Sequence, residues 1–267
     1  MHAFTGFGQY YYRDIIGTKE SMEMVINYRQ NKVSRVILTS YDADNMKNDE
    51  FYVEQKFNAV SQTLSTTTRS GLTDESVLTS YINDKGEVIK TVDSSAALVS
   101  RATYSYTSTG SLSTVLSESV DSAKKMKQSE EHKWEYSEDK ITRMLRIKNA
   151  RDTSIVQFRW DEDGNITEEV LIIRGKKSEP VYYFYDSKNR LTDIVRYNTK
   201  AKRLLPEYMF EYSPTNQVIQ RITVPSNGSN YLIWRYQYDA NGLKIKEAIY
   251  DKQKQLTGKI EYQYQKG

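Results

Sequence analysis

The stretch Tyr231–Tyr250, reading YLIWRYQYDANGLKIKEAIY, decides how this chain is built. Trp234, Tyr236 and Tyr238 alternate with Arg235 and Gln237, a period of two that sets the rings on one face of a strand and the polar groups on the other. Asp239-Ala240-Asn241-Gly242 follows, and Asn and Gly are the residues that tolerate the positive φ of a tight hairpin. Leu243, Ile245 and Ile249 then alternate with Lys244, Lys246 and Ala248 along a returning strand. One unit is a β-hairpin.

The unit recurs. Aligned on the aromatic residue before each turn, the anchors are Tyr28, Phe57, Tyr81, Tyr106, Tyr136, Trp160, Tyr185, Tyr212, Tyr238 and Tyr264, spaced 24 to 30 residues apart. From Tyr106 onward a second large apolar residue stands two positions earlier: Tyr104, Trp134, Phe158, Tyr183, Phe210, Tyr236 and Tyr262. A period near 25 built on two-residue alternation means stacked hairpins, because propeller blades need ~40 residues and helical repeats alternate differently. The 267 residues then read as one domain, with degenerate capping repeats over 1–76 and regular repeats over 77–267. Within the cap, MEMVINYRQNKVSRVIL reads as a hairpin anchored at Tyr28 with Asn31 in its turn, and the polar run SESVDSAKKMKQSEEHK from Ser117 to Lys133 reads as a long mobile loop.

Trp160-Asp161-Glu162-Asp163-Gly164-Asn165-Ile166 resembles the tyrosine-aspartate (YD, or RHS) repeat of bacteria, whose core is Tyr-Asp-x-x-Gly-x-Leu. Tyr185-Asp186-Ser187-Lys188-Asn189-Arg190-Leu191 is similar with Asn for Gly, and Tyr238-Asp239-Ala240-Asn241-Gly242-Leu243 is similar with one residue deleted. The resemblance implies a bacterial, extracytoplasmic repeat scaffold. Long members of that family curl a sheet into a shell around a cargo polypeptide, whereas this chain has a longer unit and too few repeats for a large shell.

Tyrosine, at 22 residues, is the outlier of composition. There is no cysteine, which removes disulfides and thiolate chemistry, and with only His2 and His132 no His/Cys zinc site can be assembled. No run approaches the ~20 apolar residues of a membrane helix. The N-terminus MHAFTGFGQYYYRD lacks the layout of a signal peptide, so an exported protein would already have lost its signal. The net charge of +3 is too small to imply nucleic acid, but it is unevenly placed, at −2 over residues 1–130 and +5 over 131–267. Basic residues gather in the connections between hairpins, above all Arg174, Lys176, Lys177, Lys200, Lys202 and Arg203. They read either as a ridge for an anionic protein, polysaccharide or lipid surface, or as solvated loops that keep a tyrosine-rich protein soluble. In Val181-Tyr182-Tyr183-Phe184-Tyr185, Tyr182 and Phe184 put rings on the face where other units carry polar groups, which marks either a stacking surface for a partner or a face covered by another segment.

Chemistry leaves little trace. Asp161-x-Asp163-Gly164 hints at calcium, yet an EF-hand needs Gly at its sixth position and Glu at its twelfth, where this chain has Ile166 and Ile172. No nucleophile elbow or phosphate loop is present, and no carboxylate pair is marked out for glycoside hydrolysis. The expectation is a non-catalytic extracytoplasmic scaffold, without cofactor or metal, that binds a protein or glycan. The alternatives are an outer-membrane β-barrel, a glycan-active enzyme or a fragment of an RHS-type shell. Some eighteen strands in a ribbon with one apolar face cannot stay open, and a round barrel of that size would hold water. The expected fold is therefore all-β, an antiparallel meander of about nine hairpin repeats curled or flattened into a single sheet. The last strand, with Tyr262 and Tyr264, lacks a returning partner, so it either closes the sheet or precedes further chain.

Overall fold

A computed structural model of the chain describes residues 10–71, 75–95, 98–121, 126–225 and 230–267. One helix, α1 (Arg13–Gln30), precedes the strands β1 (Val33–Asp42), β2 (Lys47–Asn58), β3 (Thr63–Ser70), β4 (Ser76–Ile82), β5 (Val88–Ser94), β6 (Leu98–Tyr106), β7 (Leu112–Asp121), β8 (Met126–Ser137) and β9 (Lys140–Lys148). They continue with β10 (Asp152–Trp160), β11 (Ile166–Ile173), β12 (Lys176–Lys177), β13 (Val181–Tyr185), β14 (Leu191–Asn198), β15 (Arg203–Tyr212), β16 (Val218–Thr223), β17 (Leu232–Tyr238), β18 (Lys244–Tyr250) and β19 (Leu256–Lys266). Apart from β12 and β13, each strand pairs antiparallel with the next. Both β12 and β13 pair with β11, so they count as one strand broken near Pro180.

The sheet does not stay open. β19 lies antiparallel against β1, in register from Val33 opposite Lys266 to Asp42 opposite Gly258, and β1 pairs on its other side with β2. The nineteen strands, or eighteen with β12 and β13 counted as one, form a closed barrel. This corrects the expected curled or flattened sheet. The strand that lacked a returning partner finds it in β1, and the ninth hairpin is made from the two ends of the chain. Closure satisfies the backbone groups that an open sheet would leave unpaired along both edges.

The segment read as a capping hairpin instead enters the ring. Residues 13–30 are helical, and Tyr28 is no anchor before a turn. α1 lies across the ring at one end: Tyr28 donates its hydroxyl to Gln55 at 2.7 Å, Asn27 reaches the Gly242 carbonyl at 2.8 Å, and Arg29 reaches the carbonyls of Asn83 and Asp84 at 3.0 Å each. These partners come from β2 and from turns on distant parts of the ring. Ile15, Val25 and Tyr28 are buried, while Lys19, Glu20 and Glu23 face water, so the helix plugs the mouth of the barrel with one side. The Ser117–Lys133 run is likewise no long loop, since β7 and β8 pair from Thr114–Lys133 to Asp121–Met126.

The interior is the aromatic face. Trp134, Phe158 and Tyr183 are buried, Trp134 stacks on Phe158 at 5.5 Å, and Met144, Val156 and Ile194 fill the spaces between. Most repeats also carry a stitch. Tyr106, Tyr136, Tyr185, Tyr212, Tyr238 and Tyr264 donate their hydroxyls to the carbonyls of Val88, Leu112, Ile166, Leu191, Val218 and Lys244, at 2.6–2.9 Å. Each of these acceptors stands just after the turn of the preceding hairpin, so a buried phenol finds its partner in the neighbouring repeat. Tyr81 breaks the expected series: Ile82 takes the inward position, and Tyr81 is 38% exposed under Lys90.

The turns repeat as closely as the rings. Asp161, Asp186 and Asp239 each accept, on Oδ1, the N–H four residues on, at 2.8, 3.0 and 2.8 Å. The third residue after each aspartate bends left-handed, at Gly164 (φ 82°), Asn189 (φ 57°) and Gly242 (φ 79°), where glycine or asparagine is favoured. The Asp161 carboxylate is thus occupied by its own turn. A bulge accompanies most of these turns, between Arg159 and Trp160 and between Gln237 and Tyr238 for example, and shifts the returning strand by one residue. Ile245 is exposed in consequence, while Glu247 and Lys244 pair inside at 2.8 Å.

Candidate functional site

Three places gather chemistry. The first is the anchorage of α1. No side chain of its own caps the helix N-terminus; instead Glu169, 2% exposed on β11, accepts the N–H of Tyr11 on Oε1 at 2.8 Å and that of Tyr12 on Oε2 at 2.9 Å. The Tyr183 hydroxyl completes the set at 2.8 Å. One turn further, Asp14 of α1 meets His132 Nδ1 of β8 at 2.6 Å, while His132 Nε2 faces Glu130 at 2.9 Å and Arg146 binds Glu130 at 2.9 Å. Tyr11 packs edge-on against His132 at 5.4 Å, with Arg146 over its other side.

Burial works against a charge on His132, but the hydrogen bonds and charges of Asp14 and Glu130 outweigh it and raise its pKa to about 9. Burial likewise opposes ionisation of Glu130, and His132 and Arg146 outweigh that to hold it at about 2. The folded pKa of His132 lies above its ordinary 6.5, so the stability it contributes is fully present below about pH 6.5 and lost as the pH rises through about 9. Unfolding free energy should therefore fall between pH 6 and 10 by on the order of 3 kcal/mol more in the wild type than in His132→Gln. Parallel pH profiles of the two proteins in urea melts would refute that linkage.

The second place is a rim. In an antiparallel meander alternate connections fall at alternate ends, so the turns after the anchors occupy the end that α1 plugs and the basic connections occupy the other. Arg174, Lys176 and Lys177 follow β11, and Lys200, Lys202 and Arg203 lie between β14 and β15; all six are exposed on that rim. Among the described residues none of the six makes an ion pair. The third place is the outer wall at β13. Tyr182 pairs with Glu168 and Val195 and is half-buried, while Phe184 is 50% exposed opposite Asp193. Phe184 is a half-exposed ring on the outer wall, whereas the six cations stand at the end of the barrel, so the two groups do not form one site.

His132, Glu169 and Asp14 were not among the residues singled out in the sequence. Their signal was there: His132 stands two residues before Trp134, in phase with the aromatic face, and a histidine in that phase must be buried and paired.

No family model and no curated protein matches this sequence. Among solved structures the chain is similar to a porin-like protein from Bacteroides uniformis, at 12% identity over 88% of this chain and 97% of that one, with a TM-score of 0.41. It is also similar to part of the Tc holotoxin pore of Photorhabdus luminescens, at 12% identity over 81% of this chain and 12% of that one, with a TM-score of 0.35. With both scores below 0.5, the barrel rests on its own strand register. Among the described residues no helix is long and apolar enough to cross a membrane, which leaves the strands to be judged by their outer face.

Proposed function

We propose that this protein is a non-catalytic, extracytoplasmic binding barrel of the tyrosine-aspartate repeat kind, with one mouth plugged by α1 and the basic rim of the other offered to an anionic protein or glycan. The observation that carries the reading is the set of six exposed cations on one rim, none of which forms an ion pair among the described residues. Charge placed this way raises the local concentration of an anion and acts over ~8 Å at physiological salt. Reversing Arg174, Lys176, Lys177, Lys200, Lys202 and Arg203 to Glu is expected to abolish retention on heparin or anionic vesicles while shifting the melt little, since exposed charges contribute within ~0.5 kcal/mol each. Retention unchanged by the reversal would remove the rim from the account.

Closure is also what an outer-membrane barrel requires, and that part of the alternative holds. The outward faces support use in water. Arg101, Lys133, Arg143, Arg159, Arg235 and Lys246 point outward from six different strands, and a basic residue facing lipid costs from ~0–1 kcal/mol near the interface to ~2–4 at the midplane. We therefore place the barrel in water. It should purify without detergent as a monodisperse monomer, and recovery only from detergent-solubilised outer membrane would establish the lipid-facing reading instead.

A further inference from the structure

The plugged mouth holds a pocket of about 320 Å³ between α1 and the turns of β5 to β11. Its floor is aromatic, made by Tyr106, Tyr136 and Trp160, with Tyr12 and Ile15 on the helix side. Its edge is polar: Lys19 on α1, Asp139 and Lys140 on the β8–β9 turn, Thr109 on the β6–β7 turn, and Glu87 at the start of β5. Glu87 is 7% exposed; its Oε2 accepts from Asn83 at 2.6 Å, and its Oε1 faces the wall at Gly110, where an added Cβ would stand 3.3 Å away. Among the described residues Lys19 and Lys140 have no carboxylate partner.

The pocket lies where the repeat departs from its own rule, twice and side by side. On this rim the other hairpins leave four or five residues between their last paired positions, but Ser137 pairs directly with Lys140, and Glu138 and Asp139 both have positive φ, at 50° and 62°. This two-residue turn lowers the rim between the taller turns at 107–110 and 161–164. In the next unit the anchor is Trp160, the one ring from Tyr106 onward that has no hydroxyl to reach back across its neighbour's turn, at Ile141. Packing alone would be served by another tyrosine there. A lowered rim and a wider ring instead make an opening with a flat aromatic floor.

We propose that this pocket binds a saccharide, one sugar ring lying on Trp160 and Tyr136 with its hydroxyls turned to Glu87, Lys19, Lys140 and Thr109. The C–H face of a pyranose complements an electron-rich ring, and its hydroxyls both donate to a carboxylate and accept from ammonium groups. The edge carries two groups of each sign, Lys19 and Lys140 against Glu87 and Asp139, so it favours no net charge on the ligand. A neutral polyhydroxylated ring satisfies all four. The proposal is independent of the basic rim, which lies at the opposite end of the barrel.

The test is titration of the full chain with cellotriose, maltotriose and chitotriose, followed by tryptophan fluorescence and calorimetry. At least one should saturate with a Kd near ~1 mM or tighter, as expected of a shallow site for a single ring. Trp160→Tyr restores the regular repeat, so its melting temperature should hold or rise while the affinity falls ~5- to 10-fold, the scale of one aromatic contact. Glu87→Gln, and Lys140→Ala at an exposed turn residue whose loss cannot unfold the barrel, should each weaken binding several-fold. Failure of all three sugars to saturate at ~10 mM, tenfold above that Kd, would overturn the proposal. So would binding that Trp160→Tyr and Lys140→Ala both leave unchanged.

Discussion

Replacing Glu169 with alanine is expected to cost ~3–5 kcal/mol of stability, the largest loss available from a single polar side chain here. The carboxylate holds two backbone N–H groups at the start of α1 and the Tyr183 hydroxyl, all within 2.9 Å, and the substitution leaves three donors without an acceptor in a buried site. Burial pushes the Glu169 pKa up, while those donors and the Arg196 charge pull the other way without cancelling it. A raised folded pKa means that the ionised form itself opposes folding, a cost present at neutral pH and relieved as the pH falls toward the ordinary carboxylate range. Glu169→Gln, which removes the charge but keeps one acceptor, should therefore lose only ~1–2 kcal/mol at pH 7. A denaturant melt showing under ~1 kcal/mol for Glu169→Ala would mean that α1 is not held by this residue.

Tyr183→Ala should lose a comparable ~3–5 kcal/mol, the range for large core aromatics. Tyr183 is 2% exposed and meets Tyr12 edge-on at 5.4 Å and Tyr10 at 6.3 Å, so its ring ties the barrel wall to the segment leading into the helix. Its hydroxyl ends on Glu169, and the two substitutions should not add. A double-mutant cycle is expected to return a coupling of ~0.5–3 kcal/mol. Strict additivity would show that the Tyr183–Glu169 hydrogen bond at 2.8 Å carries no energy of its own.

Much of this was legible. The two-residue alternation placed Trp134, Phe158, Tyr183 and Phe210 on one face, and that face is the interior. The turn motif gives each residue a job: the tyrosine reaches the preceding repeat, the aspartate holds the N–H four residues on, and the glycine takes the left-handed bend. The meander alone put the basic connections on one rim. The helix was missed because Tyr28 and Asn31 imitate an anchor and a turn, although Ile15, Val25 and Tyr28 also fall on one face at the helical period. The bulges flipped the returning strands, hiding Glu247 and Lys244 inside. Closure has no local signal at all, since the seam joins residues such as Val36 and Tyr264 across nearly the whole chain.

The β1–β19 seam is what closes the barrel. Thr39 of β1 and Glu261 of β19 are directly opposite each other across it, and the chain contains no cysteine to confuse the reading. Two cysteines opposite each other on adjacent strands lie within the ~4.4–6.8 Å Cα separation that a disulfide spans. The Thr39→Cys, Glu261→Cys protein, oxidised while folded and dilute, should form an intramolecular disulfide in nearly every molecule and run as a monomer. An open sheet puts the same two residues on opposite edges, and free thiols or disulfide-linked dimers after oxidation would contradict the closed barrel.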